Sequence, residues 1–191
     1  MGGSSLRSVL LPLHHNLQLP RMGDILVLLF FGIVPVCCTY YVIMPEGYKT
    51  VSTEVVMAAI ACGLVVDTLL VVNNFRDRDN DREAGKRTLI VKLIDRWDEK
   101  SALWLYLLLG YVPLAIMMGM GIHDAVVRDT STFALPLYAV YAAMHHTTYR
   151  QLKAINHGRE LNRVLGSTAR NIFIYGQIVF LTIVLGFALE I

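Results

Sequence analysis

Long apolar segments alternate along this chain with shorter segments that carry its charges. Five apolar segments, at about residues 25–44, 54–72, 101–121, 132–149 and 171–190, come close to the ~20 residues that an α-helix needs to cross a bilayer core. They are too long for core strands, and they lack the alternation that is typical of membrane β-barrels. The pattern predicts an all-α fold, a multi-spanning transmembrane helical bundle of about five helices.

The basic residues are distributed unevenly among the polar segments. If every apolar segment spans, the N-terminal tail and segments 73–100 and 150–170 share one face, and they hold 15 of the 17 Lys and Arg residues. Short loops rich in Lys and Arg stay in the cytoplasm. The sequence therefore predicts a multi-pass protein of the cell inner membrane, with these loops on the cytoplasmic side. We expect membrane lipid around it and no nucleic-acid partner.

The chain contains no internal repeat and no flexible linker. The simplest organisation is a single integral-membrane domain over residues 1–191, with an uninformative tail at 1–21 and the helices at 22–191. The tail does not resemble a signal peptide, because its short apolar run contains Pro12 and ends at His14.

A polar run at 73–89 carries most of the candidate chemistry. If the second helix continues beyond the apolar segment, Asn74, Asp77 and Asp81 share a stripe at about 100° per residue. Two carboxylates four residues apart on a helix repel each other by a few tenths of a kcal/mol. This cost is explained if a divalent cation lies between them, because carboxylates combine with water and phosphate oxygens to hold Mg²⁺. Asp77 and Asp81 are therefore candidate metal ligands.

Neighbouring residues complete this predicted site. Asn73, at the edge of the stripe, and Asn74 can offer neutral oxygens or donate to an anion, whereas Lys86 and Arg87 follow a turn at Gly85 and can bring positive charge back toward a diphosphate. A bare pair of aspartates four residues apart would instead suggest a solvated juxtamembrane loop with alternating charges.

Two charged residues of the run lie off the stripe. Asp79 is expected to be a solvated surface residue. Arg76 lies nearly opposite the stripe, and we expect it to brace neighbouring helices or the loop.

The full run has the pattern N-N-x-R-D-x-x-x-D-x-x-x-G-K-R-T-L. This pattern resembles the second aspartate-rich motif of the UbiA prenyltransferase superfamily. Its form is typical of 1,4-dihydroxy-2-naphthoate polyprenyltransferases. Segment 32–41, which ends in Thr-Tyr-Tyr, resembles the preceding helix of those enzymes, and segment 158–162 resembles their last cytoplasmic loop, although Arg163 stands where a proline is usual. The resemblance covers about residues 22–190 and corresponds to the C-terminal half of such an enzyme.

The resemblance implies a nine-helix bundle around a cavity open to lipid, in which two aspartate-rich motifs hold Mg²⁺ on a polyprenyl diphosphate. An electron-rich aromatic quinone precursor attacks the allylic carbon, and a naphthoate also loses its carboxyl group to give demethylmenaquinone, a step of menaquinone biosynthesis. In this chain, Asp77 and Asp81 would be the catalytic and metal-binding residues. The substrate-binding residues would be Asn73, Asn74, Lys86 and Arg87.

The chain departs from the family pattern in one respect. The first motif, of the form N-D-x-x-D-x-x-x-D, is absent from residues 1–191, and only five of the nine expected spans are present. We therefore expect a truncated enzyme that is inactive alone and lacks an N-terminal half. Two alternatives stay open: transfer to another acceptor such as 4-hydroxybenzoate or of a phytyl tail, and a non-catalytic membrane fragment with an ion- or lipid-binding loop.

Three further polar residues lie in or beside the apolar segments. Asp67 lies well inside a span, where acids are costly and usually face a cavity or a partner. Two roles of Asp67 are open: it lines a substrate cavity, or it pairs with an absent helix. His145 and His146 are expected to be interfacial anchors, because two histidines without a third ligand seldom form a metal site.

Overall fold

The computed structural model describes residues 23–128 and 136–189, and this part of the chain contains six helices and no strand. We name them α1 (Gly23–Ile43), α2 (Thr53–Glu83), α3 (Leu89–Arg96), α4 (Glu99–Arg128), α5 (Leu137–Ile155) and α6 (Leu161–Leu189). The predicted all-α class is confirmed. The predicted N-terminal tail lies outside the described residues.

Within the described residues, four helices are long and apolar enough to cross a membrane: Gly23–Ile43, Thr53–Glu83, Glu99–Val127 and Leu161–Leu185. They correspond to the first, second, third and fifth predicted spans. The predicted span at 132–149 forms α5, whose described part begins beyond residue 135. Its second half carries His, Thr, Arg and Lys side chains, and α5 is therefore not among the four.

Helix α1 packs against α2 through two glycines. A Cβ atom on Gly32 would lie 2.7 Å from the Cα of Gly63, and one on Gly63 would lie 2.9 Å from the carbonyl oxygen of Leu28. Small residues permit this close approach of membrane helices. The same stretch of α1 forms a π-helical turn at Leu29–Ile33, just before Pro35. A widened turn accommodates a proline, which has no N–H for the helix and crowds the preceding turn.

Helix α2 is the central helix, and it packs against α1, α3, α4 and α6. Its buried face ends in Val71, Val72 and Phe75, which join the core formed with Tyr106 of α4 and Leu161 of α6. A second cluster farther along the bundle joins α2 to α5 and α6 through Val65, Tyr138, Tyr141, Tyr175 and Ile178. The position of α2 in the middle fixes the polar run at its C-terminal end among several neighbours.

Much of the two predicted loops is helical. Segment 73–100 contains the end of α2 and the short helix α3, and α6 begins at Leu161, so that only a turn separates it from α5. The prediction of a loop over 150–170 was therefore wrong. Leu161, Val164 and Thr168 are buried at helical spacing, while the residues between them are exposed or half-buried. An average over apolar content does not detect such an amphipathic extension.

Candidate functional site

The polar run lies on the last turns of α2, as predicted from the helical stripe. The helix continues without interruption through Asp77 and Asp81 to Glu83. Gly85 then adopts a φ of +72°, a left-handed conformation that glycine reaches without the steric cost of a Cβ atom. The N–H of Lys86 donates to the carbonyl oxygen of Asp81 at 2.8 Å. The turn therefore directs the chain back onto the acidic face of the helix.

Lys86 interacts electrostatically with both predicted metal ligands, Asp77 and Asp81. Its Nζ lies 3.4 Å from Oδ1 of Asp81, whose side chain is only 13% exposed. Lys86 also interacts electrostatically with Asp77. The expectation that the Gly85 turn returns a cation to this place is confirmed for Lys86.

Asp77 is paired with its own neighbour in sequence. The guanidinium of Arg76 donates from Nε to Oδ1 at 2.8 Å and from Nη2 to Oδ2 at 2.7 Å. The same Nη2 donates to Oδ1 of Asn73 at 2.9 Å, and Nη1 donates to Oδ1 of Asn162 on α6 at 3.0 Å. Arg76 does brace α6, as expected, and its position on the helix lies off the acidic stripe. The long arginine side chain turns around the helix to reach Asp77.

The structure leaves two predicted substrate-binding residues apart from this cluster. Asn74 is half-buried and Arg87 is exposed, and neither side chain forms a hydrogen bond or ion pair within the described residues. Asp79 faces away from the acidic pair and binds Arg82 at 3.0 Å. The expected position of Asp79 off the stripe is confirmed.

A buried arginine in the same run was missed by the sequence analysis. Arg78 is 1% exposed and donates to the carbonyl oxygen of Phe75, to Oε1 of Glu99 at 3.2 Å and to His157 at 2.6 Å. Glu99 in turn accepts from Asn156 at 2.9 Å. These contacts join the ends of α2 and α5 to the start of α4. Arg78 follows Val71 and Phe75 at helical spacing, and all three are buried on the same face of α2. This spacing can be read from the sequence.

An apolar groove of about 600 Å³ lies between α1, α2 and α6, beside the acidic cluster. Asn73, which is bound to Arg76, is the one polar side chain among its nine lining residues. The α2 residues of the lining extend over seven positions, which correspond to about 10 Å of helix. The lining residues are Val27, Phe31, Val66, Leu69, Leu70, Asn73, Leu165, Gly166 and Ala169.

Other buried polar groups are not part of this site. Asp67 is 5% exposed, its Oδ1 has no hydrogen-bond partner in the described structure, and it interacts electrostatically with another acid, Asp24. The prediction of interfacial anchoring was wrong for His145, which is buried and stacks on Tyr106 with ring centroids 4.7 Å apart. His146 is exposed.

The oxygen donors of the cluster fit a magnesium ion. The described residues contain no group of three or more His, Cys, Asp and Glu side chains that could hold a metal by themselves. However, Mg²⁺ is usually held by one or two carboxylates together with waters and substrate phosphates. Asp77, Asp81 and the amide oxygen of Asn73 offer such a partial set of hard ligands. Two cationic groups, from Arg76 and Lys86, already lie against these oxygens.

A protein-family model matches most of this chain. The model of the UbiA prenyltransferase family matches residues 18–162, which include the whole polar run and all of α5. No solved structure is significantly similar to this chain.

Two similar bacterial proteins are both named 1,4-dihydroxy-2-naphthoate octaprenyltransferase. The protein from Escherichia coli K12 is 42% identical over 72 residues, and that from Haemophilus influenzae is 40% identical over 72 residues. Each match covers 38% of this chain and 22% of the relative. The UbiA prenyltransferase domain-containing protein 1 of Gallus gallus is 27% identical over 151 residues, which are 76% of this chain and 41% of the relative. The chain thus matches less than half the length of these relatives.

Proposed function

This chain belongs to the UbiA prenyltransferase family, and we propose that it contributes to the transfer of a polyprenyl group from its diphosphate to 1,4-dihydroxy-2-naphthoate in menaquinone biosynthesis. In this reaction the allylic C–O bond breaks and its electron pair leaves with the diphosphate. A ring carbon forms the new C–C bond, and loss of the carboxyl group as CO₂ gives demethylmenaquinone. The names of the bacterial relatives support this choice of acceptor.

The observation that carries the proposal is the direct junction between a charged cluster and an apolar groove. Asn73 lines the groove and shares the Arg76 guanidinium with Asp77. A polyprenyl diphosphate has the matching character, with a multiply charged anionic head and an apolar tail. The groove volume of about 600 Å³ lies within the range of about 300–1,000 Å³ that is usual for ligand pockets.

Each end of the substrate has residues suited to it. Lys86 and the guanidinium of Arg76 are placed to donate to diphosphate oxygens, which are strong acceptors for charged donors. Asp77, Asp81 and Asn73 would hold Mg²⁺, which when bound neutralises charge that develops on the leaving diphosphate. Val66, Leu69 and Leu70 form an apolar wall that keeps water from the tail. We propose that this end of the bundle faces the cytoplasm, because it carries most of the basic residues.

The direct test is magnesium-dependent binding of a non-reactive prenyl diphosphate. Farnesyl thiodiphosphate is titrated into the purified chain in detergent by calorimetry, with Mg²⁺ and with EDTA. We expect binding only with Mg²⁺, and a loss of about tenfold or more in affinity for Asp77→Asn and Asp81→Asn, since each removes a charged ligand. Binding is measured before turnover because residues 1–191 carry one aspartate-rich motif of the two that the family resemblance implies.

The matched control is Asp79→Asn, the same substitution on the same helix but outside the acidic pair. It should bind the analogue as the wild-type chain does. If all three variants behave alike, or if a folded wild-type chain does not bind, the proposed function is wrong. Incubation with a reactive prenyl diphosphate and a panel of aromatic acids then compares the naphthoate with 4-hydroxybenzoate as acceptor. Preference for the latter would exclude the proposed substrate but not the reaction class.

A further inference from the structure

Arg76 makes four hydrogen bonds through its guanidinium, and three of them lie within the proposed site. It donates to both carboxylate oxygens of Asp77 and to the amide oxygen of Asn73. Paired N–H donors match the geometry of a carboxylate, and such bidentate pairs are among the strong hydrogen bonds of proteins. The arginine side chain is 28% exposed, so its contacts are partly shielded from water.

These are the oxygens that the proposed metal site needs. A divalent cation bound to both Asp77 and Asn73 would lie within a few ångströms of the guanidinium, and like charges at that separation repel strongly. The other acid, Asp81, is paired with Lys86 at the longer distance of 3.4 Å through a flexible and mostly exposed side chain. Arg76 therefore competes with the metal more directly than Lys86 does.

The fourth contact of Arg76 is independent of the acidic pair. Its Nη1 donates to Asn162 on α6, which is 86 residues away in sequence. This bond can persist when the bonds to Asp77 break, because it uses a different nitrogen and a different helix. Asn162 thus provides a pivot that keeps the guanidinium near the head of the groove.

We propose that Arg76 is an exchangeable internal cation: it holds Asp77 and Asn73 when no divalent ion is bound, and it leaves Asp77 when metal and diphosphate bind together. This inference rests on the proposed function and adds a regulation to the same site. The freed guanidinium, retained by Asn162, regains its hydrogen bonds from the diphosphate. Metal alone therefore binds weakly, and diphosphate strengthens metal binding through a positive coupling between the two ligands. Arg76 is a positioning residue for the metal ligands in this arrangement.

The test measures Mn²⁺ binding by electron paramagnetic resonance of the free ion, in the absence and presence of farnesyl thiodiphosphate. Without the diphosphate, Arg76→Gln should bind Mn²⁺ about tenfold more tightly than the wild-type chain, the change expected for removing a charged competitor. The diphosphate should then strengthen Mn²⁺ binding less in this variant than in the wild-type chain. Arg76→Lys, which keeps the charge but loses the bidentate geometry, should fall between them.

Arg82→Gln is the matched control, because Arg82 is on the same helix and pairs with Asp79 and Asp95 instead of the acidic pair. It should leave both Mn²⁺ affinity and coupling unchanged. Asn162→Ala removes the pivot without touching Asp77, and it should reduce the coupling while Mn²⁺ affinity without diphosphate stays near that of the wild-type chain.

Two failures can be told apart. If Mn²⁺ binding depends on Asp77 but Arg76→Gln binds the ion no more tightly than Arg82→Gln, the exchange proposal is wrong and the proposed function stands. If Asp77→Asn leaves Mn²⁺ binding unchanged in the wild-type and Arg76→Gln backgrounds, the metal is bound elsewhere, and both proposals fail. A folded Arg76→Gln chain that binds no Mn²⁺ with diphosphate present also contradicts the exchange proposal, but it leaves the proposed function standing.

Discussion

Three arginines of one helical stretch have different roles because their surroundings differ. Arg76 pairs with the candidate metal ligand Asp77, Arg78 is buried among α2, α4 and the α5–α6 turn, and Arg82 lies in solvent with Asp79 and Asp95. Residue type alone does not separate them. Arg76 and Arg78 are two positions apart and therefore lie on nearly opposite sides of a helix with 3.6 residues per turn. Arg82 lies one turn beyond Arg78 on the same side, at the end of α2, where its side chain is exposed.

At the residue scale, Arg78 should contribute more to stability than Arg82. Replacing Arg78 with Ala removes the donors to Glu99 and to the Phe75 carbonyl group and leaves a buried space. We expect a loss of roughly 1.5–3 kcal/mol in the free energy of unfolding, the range for hydrogen bonds to charged groups. Unfolding by a denaturing detergent in mixed micelles, followed by circular dichroism, measures it.

Arg82→Ala serves as the comparison, because solvent screens exposed ion pairs and they contribute little to stability. Equal losses in the free energy of unfolding for the two variants would show that the burial of Arg78 does not increase its contribution to stability. In addition, Arg78→Ala should loosen the α5–α6 turn, where Asn156 and His157 bind the same cluster. Faster hydrogen exchange in residues 156–160 would report this effect.

At the element scale, the contact between α1 and α2 depends on two glycines that allow their backbones to approach. Gly32 faces Gly63, and Gly63 faces Leu28, without room for another carbon atom. Apolar burial adds little to the association of membrane helices, because lipid tails are as apolar as the side chains. Close packing is therefore the main contribution to their association. A helix pair of this kind tolerates few changes in volume.

Gly63→Ala should therefore separate α1 from α2. Its Cβ atom would lie 2.7 Å from Cδ1 and 2.9 Å from the carbonyl oxygen of Leu28, and overpacking of this kind costs about 1–3 kcal/mol. The control is Gly119→Ala on α4, where a Cβ atom meets nothing within 4 Å. Thermal unfolding in detergent should show a lower midpoint for Gly63→Ala alone. A similar midpoint for both variants would contradict the described contact.

At the scale of the whole molecule, the helices place an apolar groove next to a charged cluster. The groove is formed by the consecutive helices α1 and α2 and by α6, which is far from them in sequence, and α2 contributes to both groove and cluster. Because α2 crosses the apolar part of the bundle and continues into the polar run, its side chains change from Val66 and Leu69 to Asn73 and Asp77 along one helix.

Narrowing this groove should affect an apolar tail but not a diphosphate. Gly166 lines the groove and has open space at its Cβ position, so Gly166→Leu places an isobutyl group in it. Displacing about two methylene groups of the tail, at ~0.8 kcal/mol each, corresponds to about a tenfold loss in affinity for farnesyl thiodiphosphate. Calorimetry should show unchanged binding of inorganic diphosphate.

Gly176→Leu is the control on the same helix, since Gly176 is exposed outside the groove and its Cβ position is also open. It should bind both ligands as the wild-type chain does. If Gly166→Leu weakens both ligands equally, or neither, the groove does not hold the tail.

Local sequence features predicted the class of fold and the position of the acidic pair. Apolar length alone indicates a membrane helix, and four predicted spans correspond to helices that are long and apolar enough in the described residues. The helical stripe of Asp77 and Asp81 and the turn at Gly85 depend on residues within about ten positions of one another. The polar run also carried the resemblance to the UbiA superfamily, and the family match agrees with it.

Only the tertiary structure decided which partners the polar side chains find. The pairing of Arg76 with Asn162, the burial of Arg78 against Glu99 and His157, and the stacking of His145 on Tyr106 join residues from different helices. Helical periodicity states which face of a helix a residue occupies, but not which helix covers that face. The groove likewise exists because α1, α2 and α6 leave space between them, a consequence of packing that no single segment of the sequence contains.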